Sequence, residues 1–391
     1  MFFYTLNQGD RCMFYPHNFI DENCWLVFPN QTSNLQHQTS NLQTSNIIHQ
    51  PTTLAKISTM FHSKITGVGH YVPERVVTNE ELTRYMDTSD AWIQDRTGIK
   101  ERRFFEEGVD TVSGMAKKAS RLASENAGIN VSEIEMIVFA TLSPDYSFPG
   151  SGVLLQRLLG LPGIPALDIR QQCAGFIYAL SVADQFIKSD TYKTILVVGS
   201  EIQSNIMELS DRGRNMSVIF GDGAGAVILQ QSTEVNKGIL STHIHADGTY
   251  AEELMLEHPG SKRKERYNAD MVEKGELLPV MNGQLVFKHA VQRFPEVIKE
   301  ALVSNGLQTS DIDLLIPHQA NLRIAEYIQK NLGLRDDQVF NNIQKYGNTT
   351  AASIPLALSE AFLEGRIKSG DLVCMAAFGS GFVWGSVLVR W

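Results

Sequence analysis

The strongest constraint on the fold of this 391-residue chain is a repeat that relates its two halves. The segment 128–138 (GINVSEIEMIV) aligns with 306–316 (GLQTSDIDLLI) at a constant offset of 178 residues. Each copy follows an amphipathic helical stretch, at 111–126 and 287–305, and predicts a glycine helix cap, a turn and then a buried strand. Two similar α/β units therefore follow one another along the chain.

A second pair of matching segments supports the duplication. Glycine-rich turns that feed apolar strands are predicted at 220–229 (FGDGAGAVIL) and 378–388 (FGSGFVWGSVL). Other short strands are predicted at 137–140, 195–198, 314–316 and 372–376. Their alternation with helices predicts mixed sheets that helices cover. We expect two halves, 63–235 and 236–391, packed face to face with an active site where they meet.

The first 62 residues differ in composition from the rest. Residues 31–46 repeat Gln, Thr, Ser and Asn, and such a segment cannot bury enough apolar surface to offset the entropy of ordering it. No cationic start precedes an unbroken apolar stretch, so a secretory signal is not predicted. We interpret residues 1–62 as a disordered, dispensable extension, with Met60 as a candidate true start. A partner-binding or aggregation-prone tail is the alternative.

Charge and cysteine content exclude several classes of protein. The 34 basic and 43 acidic residues give a net charge of −9, the wrong sign for a protein whose whole surface binds nucleic acid. No apolar run reaches the ~18 residues of a membrane helix. The four cysteines lie far apart without a C-x-x-C pair, so neither a metal site nor a disulfide framework is predicted. A reducing, cytoplasmic location is expected.

Cys173, at the predicted start of a buried helix, is the candidate nucleophile. Residues 165–188 (PALDIRQQCAGFIYALSVADQFIK) predict a strand that turns directly into a nearly all-apolar helix. The free N–H groups and the dipole of that helix favour a thiolate, so we expect a thiol pKa below the usual value of about 8.5. The alternative role for Cys173 is that of a small buried hydrophobic side chain.

Two possible partners for this cysteine lie in the second half. A predicted strand ends at His318, in the position that residues 140–143 occupy in the first half. Asn348 follows a glycine, ahead of a small-residue helix that Pro355 is expected to kink. Either residue alone is more often structural, as a strand-end histidine or a turn or N-cap asparagine. Together, neutral histidine and asparagine side chains can both donate to one carbonyl oxygen and stabilise an enolate.

Six motifs, taken together, resemble a single known family from Lys64 to Trp391. They are 90–99 (DAWIQDRTGI), 172–176 (QCAGF), 220–226 (FGDGAGA), 317–324 (PHQANLRI), 346–355 (YGNTTAASIP) and 377–382 (AFGSGF). They resemble β-ketoacyl-[acyl-carrier-protein] synthase III, the initiating condensing enzyme of fatty-acid biosynthesis. The resemblance implies an α/β, thiolase-like fold of five layers, αβαβα, with two similar halves. It also implies a homodimer that acts on acyl-CoA and acyl carrier protein, without a cofactor.

The resemblance implies catalytic roles for four residues. Cys173 would be the acylated nucleophile, and His318 and Asn348 would assist decarboxylation of a malonyl unit. The backbone N–H groups of Cys173 and Ser380 would form the oxyanion hole. Serine replaces the small glycine or alanine usual at position 380, which a main-chain donor tolerates if the backbone angles permit a side chain.

Roles in substrate binding follow from the same resemblance. The adenine of coenzyme A would lie between Trp92 and Arg212, and Arg96 would contact the nucleotide end. Phe148 would reach across the dimer into the acyl pocket of the partner. Lys288 and Arg323 would dock the acidic carrier protein, which would explain how an acidic chain recruits another anion.

The sequence departs from the family pattern at two places. Gln171 and Gln172 stand where small residues are usual, and the segment 258–280 is longer and more charged than the common loop. We expect either change to reshape the acyl pocket or its entrance.

Other functions match the sequence less well. The run 221–225 is not G-x-G-x-x-G and precedes a strand, which argues against a dinucleotide enzyme. Ser151 and Ser200 both lack the G-x-S-x-G pattern of a serine hydrolase. The loop 378–382 has no second cysteine, as a degradative thiolase would need. Two alternatives stay open: a paralogue of secondary metabolism that condenses or transfers an unusual acyl group, and a silent scaffold with the same dimer fold.

Overall fold

The computed structural model describes residues 61–391. The expectation for residues 1–62 therefore falls outside the described residues, except at Phe61 and His62, where the first strand begins. No helix in the described part of the chain is long and apolar enough to cross a membrane.

The first half of the described chain contains seven strands and six α-helices. They are β1 (His62–Tyr71), β2 (Val76–Thr78), α1 (Asn79–Leu82), α2 (Asp90–Thr97), β3 (Glu101–Arg103), α3 (Val112–Ala127), β4 (Met136–Ala140), α4 (Ser151–Leu159), β5 (Ala166–Ile169), α5 (Gly175–Lys188), β6 (Thr194–Glu201), α6 (Arg214–Ser217) and β7 (Gly223–Ser232).

Between residue 238 and the C-terminus there are six strands and five α-helices. They are β8 (Gly238–Ala246), β9 (Leu254–Met255), α7 (Ala269–Lys274), β10 (Val280–Met281), α8 (Gly283–Ser304), β11 (Leu314–Pro317), α9 (Leu322–Leu332), α10 (Ile343–Tyr346), α11 (Ser353–Leu363), β12 (Leu372–Gly379) and β13 (Val383–Arg390).

The two main sheets have the same topology. The first has the strand order β1-β7-β6-β4-β5, and the second has the order β8-β13-β12-β11. In each sheet, two strands that run parallel (β4 and β6; β11 and β12) meet an antiparallel pair (β7 and β1; β13 and β8). Only β5 lacks a full counterpart, since its equivalent is a single parallel bridge between Leu315 and Val339. The sheets therefore repeat the duplication seen in the sequence.

Five layers result from the packing of helices on these sheets. Helices α5 and α11 contact strands of both sheets and form the middle layer, while α3 and α4 cover the outer face of the first sheet. Helices α8 and α9 pack on one another, and α8 lies on the outer face of the second sheet. A middle helix is covered on both sides, which explains why α5 is apolar over nearly its whole length. The expected αβαβα arrangement is confirmed.

The repeat in the sequence marks the same local structure twice. Helix α3 ends at Gly128 and α8 ends just before Gly306, both with left-handed backbone (φ 68° and 66°) that favours glycine. A short 3₁₀ turn follows each glycine, at Val131–Glu133 and Thr309–Asp311, and then comes the buried strand. The predicted cap, turn and strand are confirmed in both copies.

Two local predictions were wrong. Gly223 and Gly225 lie within strand β7 and not in a turn. Pro355 is the third residue of α11, inside the first turn, where a backbone N–H has no acceptor within the helix. The proline therefore removes no helical hydrogen bond and requires no kink.

The glycines of the first sheet let the middle layer approach it closely. A Cβ atom on Gly225 would lie 2.5 Å from the backbone N of Leu356 in α11, and one on Gly199 would lie 2.3 Å from the carbonyl oxygen of Ala351. Both separations are shorter than real carbon contacts. The first sheet can therefore pack this closely against α11 and the turn before it only because these two positions lack a side chain.

We expect Gly225→Ala to destabilise the protein by about 1–3 kcal/mol, because the added methyl group meets backbone that cannot move aside. For a protein of this size, the melting temperature should fall by about 2–6 °C. Gly248→Ala is the control, since no atom lies within 4 Å of a Cβ built there. Equal melting temperatures for the two variants, measured by calorimetry, would contradict the packing argument.

Candidate active site

Cys173 lies where β5 leads into the middle helix α5. It is the central residue of a 3₁₀ turn, Gln172–Ala174, that directly precedes α5. Gln172 has a φ of 42°, in the left-handed region that costs energy for any residue with a side chain. The end of β12 passes close by, since a Cβ on Gly379 would lie 2.7 Å from the Cβ of Cys173. The predicted placement of Cys173 at a helix start is confirmed.

His318 follows the last residue of β11, and its backbone N–H donates to the carbonyl of Ala376 at 2.8 Å. The ring is 97% buried, with Nδ1 at 2.6 Å from the Oγ of Ser353. Its Nε2 is buried and has no hydrogen-bond partner among the described residues. Burial lowers the pKa of His318 to about 3, so the imidazole is neutral at physiological pH.

Asn348 lies just before the 3₁₀ turn Thr350–Ala352 that leads into α11. Its N–H donates to Ile219 O at 2.9 Å, and its carbonyl accepts from Gly221 N at 3.1 Å. The side-chain Oδ1 accepts from the backbone N–H of Thr350 at 2.8 Å. The acceptor end of the amide is therefore occupied, and the Nδ2 group is the end left to donate.

Cys173, His318 and Asn348 line one largely apolar cavity of about 170 Å³, which we call the inner cavity. An outer cavity of about 840 Å³ adjoins it. The two share five lining residues: Ile219, Met281, Gly283, Phe287 and Asn321. Together they form a channel that leads to the cysteine. The structure thus brings the three predicted catalytic side chains to one place.

The expectation of a lowered thiol pKa was wrong. Burial raises the pKa of Cys173 to about 12, and the carboxyl group of Glu201 acts in the same direction. The backbone N–H groups of Cys173 and Ser380 oppose this shift, because both interact with the sulfur. Desolvation of the sulfur therefore outweighs the helix terminus, and the resting group is a neutral thiol.

Glu201 is a buried acidic residue that affects the pKa of Cys173 and that the sequence did not indicate. It ends β6, and its carboxylate accepts from the N–H groups of Leu142 and Ser143 at 3.2 Å and from the Oγ1 of Thr141 at 3.1 Å. Burial raises its pKa. In the sequence, Glu201 stands out only as an acidic residue after Gly199 and Ser200 near the end of a predicted strand. That segment was considered only as a possible serine-hydrolase motif.

Trp92 of α2 lines the outer cavity, and two arginine side chains lie close to its indole ring. The guanidinium carbon of Arg96 is 4.3 Å from the ring centroid, and that of Arg214 is 5.1 Å away. Such contacts stabilise by cation–π attraction. Trp92 and Arg96 both line the outer cavity, as the sequence reasoning expected of neighbouring binding residues.

Among residues 61–391, the arginines in cation–π contact with Trp92 do not include Arg212. Two residues predicted to lie on either side of an adenine ring need no direct contact, so the role of Arg212 stays a prediction. Its guanidinium is held by an ion pair of 2.8 Å with Glu208 and by a hydrogen bond of 2.8 Å to the carbonyl of Glu273 in α7. Arg214, two residues on, takes the position over the indole. The sequence signal was present in the run Arg-Gly-Arg, but nothing in it distinguishes which arginine turns inward.

The remaining predicted binding residues lie apart from the inner cavity. Phe148 is 85% exposed. Lys288 is exposed on α8 and has no ion pair within residues 61–391. Arg323 lines the outer cavity and forms an ion pair of 3.2 Å with Asp95. The roles predicted for these three residues stay predictions.

The three departures from the family pattern, at Ser380, at Gln171 and Gln172, and in the segment 258–280, differ in their structural consequences. The Oγ of Ser380 donates to the carbonyl of Leu254, so the serine ties the end of β12 to a residue that lines the inner cavity. Gln171 and Gln172 line neither cavity, nor does any residue of the segment 258–280. That segment instead contacts Arg212 through α7. Among residues 61–391 no cluster of histidine, cysteine, aspartate and glutamate is arranged to hold a metal ion.

Comparisons with known proteins agree with this geometry. Family models described as 3-oxoacyl-[acyl-carrier-protein (ACP)] synthase III and its C-terminal part match residues 167–248 and 302–391. The chain is 46% identical over 335 residues to the β-ketoacyl-[acyl-carrier-protein] synthase III of Xanthomonas campestris, covering 86% of this chain and 100% of that protein.

Solved structures with the same fold include two informative relatives. The 3-oxoacyl-[acyl-carrier-protein] synthase III of Aquifex aeolicus superposes with a TM-score of 0.76 at 42% identity, over 84% of this chain and 100% of that one. The priming β-ketosynthase of the R1128 polyketide pathway gives a TM-score of 0.76 at 33% identity, over 84% and 96% of the two chains.

The raised thiol pKa predicts how Cys173 reacts with iodoacetamide. Only the thiolate reacts, so with a pKa near 12 the rate should rise about tenfold per pH unit from pH 7 to 10, without a plateau. Mass spectrometry of the peptide that contains Cys173 measures this rate. Glutathione, with an ordinary thiol pKa, is the control and should level off within that range. A plateau for Cys173 below pH 9 would show that the helix terminus outweighs desolvation after all.

Proposed function

The chain belongs to the β-ketoacyl-[acyl-carrier-protein] synthase III family, and from that membership we infer that it is an acyltransferase of fatty-acid biosynthesis. It condenses an acyl-CoA primer with malonyl-ACP, giving 3-oxoacyl-ACP, carbon dioxide and free coenzyme A. The observation that carries this function is the convergence of Cys173, His318 and Asn348 on one apolar cavity.

The first half-reaction is acyl transfer to Cys173. The sulfur attacks the carbonyl carbon of acyl-CoA, the bond from that carbon to the coenzyme sulfur breaks, and the thiol proton leaves with free coenzyme A. The N–H groups of Cys173 and Ser380 already point at the sulfur, so an oxygen attached to the adjacent carbon falls within their reach. The neutral resting thiol means that the proton is lost only as the bond forms.

The second half-reaction is decarboxylative condensation. Malonyl-ACP loses carbon dioxide, and the electron pair of the broken bond becomes the enolate of acetyl-ACP. Its carbon attacks the acyl group on Cys173, and the thiolate that leaves takes up a proton from solvent. His318 and Asn348 donate to the enolate oxygen in this proposal, because both side chains are neutral and each has one unoccupied donor end.

Coenzyme A would bind in the outer cavity. Adenine stacks on Trp92, where Arg96 and Arg214 already supply positive charge for its phosphates. Arg212 could join the adenine only by leaving Glu208 and the carbonyl of Glu273. The nucleotide site therefore includes Arg214 in addition to the three residues first predicted.

A homodimer is proposed through the edge of the first sheet. Strand β5 is the last strand of that sheet, so one of its edges has no partner within residues 61–391. Large apolar side chains near it are exposed, among them Tyr146, Phe148 and Leu167. Exposed apolar groups beside an open strand edge are typical of an association surface. Phe148 could then contribute to the inner cavity of the partner, since it does not line the cavities of its own chain.

The proposed chemistry needs no cofactor, because nucleophile, donors and substrates supply every bond change. A cytoplasmic site of action is proposed, since a free catalytic thiol needs a reducing compartment. The alternative function is that of a paralogue of secondary metabolism, which would condense or transfer an unusual acyl group. The 33% identity to a priming β-ketosynthase of a polyketide pathway is the observation that favours this alternative.

Mass spectrometry of the purified protein, incubated with a panel of acyl-CoAs, tests the function. The mass of the acyl group attached to Cys173 identifies the primer, and Cys173→Ala should form no adduct. His318→Ala and Asn348→Ala should still become acylated yet lose most condensation, on the order of 100-fold or more. If the two variants lost acylation as far as condensation, the division of labour would be wrong. An adduct on Cys173→Ala would refute the nucleophile.

Docking of the carrier protein should depend on Lys288 and Arg323. We expect Lys288→Glu, alone and with Arg323→Glu, to raise the KM for malonyl-ACP several-fold, about 3- to 10-fold, and added salt to weaken the wild type similarly. Acylation from free acyl-CoA should change little in the Lys288 variant. Lys299→Glu makes the same charge change farther along α8 and is the matched control. Equal effects at both positions, or on both half-reactions, would contradict local docking.

A further inference from the structure

Ser353 is the first residue of α11 and is 98% buried. Its hydroxyl oxygen lies 2.6 Å from Nδ1 of His318 and accepts a longer bond of 3.4 Å from the backbone N–H of Gln319. Within residues 61–391 the hydroxyl has no other hydrogen-bond partner. No local pattern distinguishes Ser353 from the other small residues between Asn348 and Pro355.

These partners determine the direction of the bond to His318. The oxygen of Ser353 already accepts from Gln319, and Nδ1 is the one acceptor within reach of its proton. If Nδ1 carried the ring proton instead, the serine proton would be buried without an acceptor, which is costly. The hydroxyl therefore donates to Nδ1, and the ring proton of the neutral imidazole resides on Nε2.

We propose that Ser353 is a positioning residue that fixes His318 as the Nε2–H tautomer and so makes it a donor to the thioester oxygen of the malonyl unit. The proposal rests on the function inferred above. Nε2 is buried, lacks a partner among the described residues and belongs to a ring that lines the inner cavity. The amide of Asn348, whose Oδ1 is held by Thr350, supplies the second donor.

A serine suits this role better than a carboxylate would. In a serine–histidine–aspartate triad, the aspartate stabilises a cationic imidazolium, so the histidine serves as a base. A neutral hydroxyl that donates to Nδ1 gives no such stabilisation and instead keeps the ring neutral. His318 then polarises an oxygen and takes no proton, which is what stabilisation of an enolate requires.

The same helix provides a matched control. Ser359 lies farther along α11, is also fully buried, and its Oγ lies 2.9 Å from Nδ1 of His70 in β1. His70 lines neither cavity. Ser359→Ala therefore removes a serine–histidine bond from the same helix, at a buried serine that has no hydrogen bond to His318.

The first test reads the tautomer directly, in the full chain labelled with ¹⁵N-histidine. The resonances of His318 are identified by their absence from the spectrum of His318→Ala. At neutral pH we expect a protonated Nε2 and a bare Nδ1 in the wild type, and exchange between tautomers in Ser353→Ala. A protonated Nδ1 in the wild type, or an imidazolium, would overturn the proposal whatever the activity.

The second test compares the two half-reactions. Ser353→Ala should lose condensation about tenfold more than acylation, the factor of one lost hydrogen bond, and Ser353→Thr should recover most of the loss. Ser359→Ala should alter neither half-reaction. Equal losses in both half-reactions, or the same loss in Ser359→Ala, would mean that the serine only supports the fold. If the wild type condensed no acyl-CoA, the proposed function would fail while the tautomer result stood.

Discussion

The contact between the starts of the two middle helices is the constraint on which the site depends. A Cβ on Gly175, the first residue of α5, would lie 3.3 Å from the Cβ of Ala351, which belongs to the turn before α11. Cys173, the proposed nucleophile, precedes that glycine by two residues, and Asn348 precedes that alanine by three. Because both helices are enclosed by two sheets, they can meet only where their side chains are small. One contact therefore brings two reactive groups, from opposite halves of the chain, to one cavity.

The same enclosure determines the charge state of the site. Burial raises the pKa of Cys173 and lowers that of His318, so both groups are neutral when no substrate is bound. A charged pair would bind counter-charges or water, whereas neutral donors remain available for an oxygen that gains charge during the reaction. Glu201 adds to this effect, since its carboxyl group disfavours a thiolate nearby. In the proposed mechanism, the site would therefore form its charges only as the bonds change.

The sequence predicted those features that neighbouring residues determine, and it missed those that distant residues determine. The repeated cap, turn and strand, the strand ends and the position of Cys173 all follow from local patterns, and the structure has them within a few residues. The predicted direction of the thiol pKa was wrong because the shift comes from burial of the sulfur and from the charge of Glu201, neither of which a local pattern reveals. The contact of Arg214 with Trp92 was not predicted for the same reason, since Glu208 and α7 hold Arg212 elsewhere. The kink predicted at Pro355 was wrong because the helix begins only at Ser353. Nothing in this run of small residues marks that helix start in the sequence.

The duplication explains why the site lies on one side of a nearly symmetrical frame. At the offset of 178 residues, His318 corresponds to Ala140 and Gly379 corresponds to Glu201, so both pairs stand at the ends of equivalent strands. In the first half, Glu201 spans these two strand ends by accepting bonds from Leu142 and Ser143, which closes the edge with a polar network. In the second half a glycine replaces the acid, so within residues 61–391 no carboxylate bridges the two strand ends, and His318 and Gly379 both line the inner cavity. His318 lines that cavity as a neutral ring, whereas a histidine at the equivalent place in the first half would face the carboxylate of Glu201, and that charge would favour the cation.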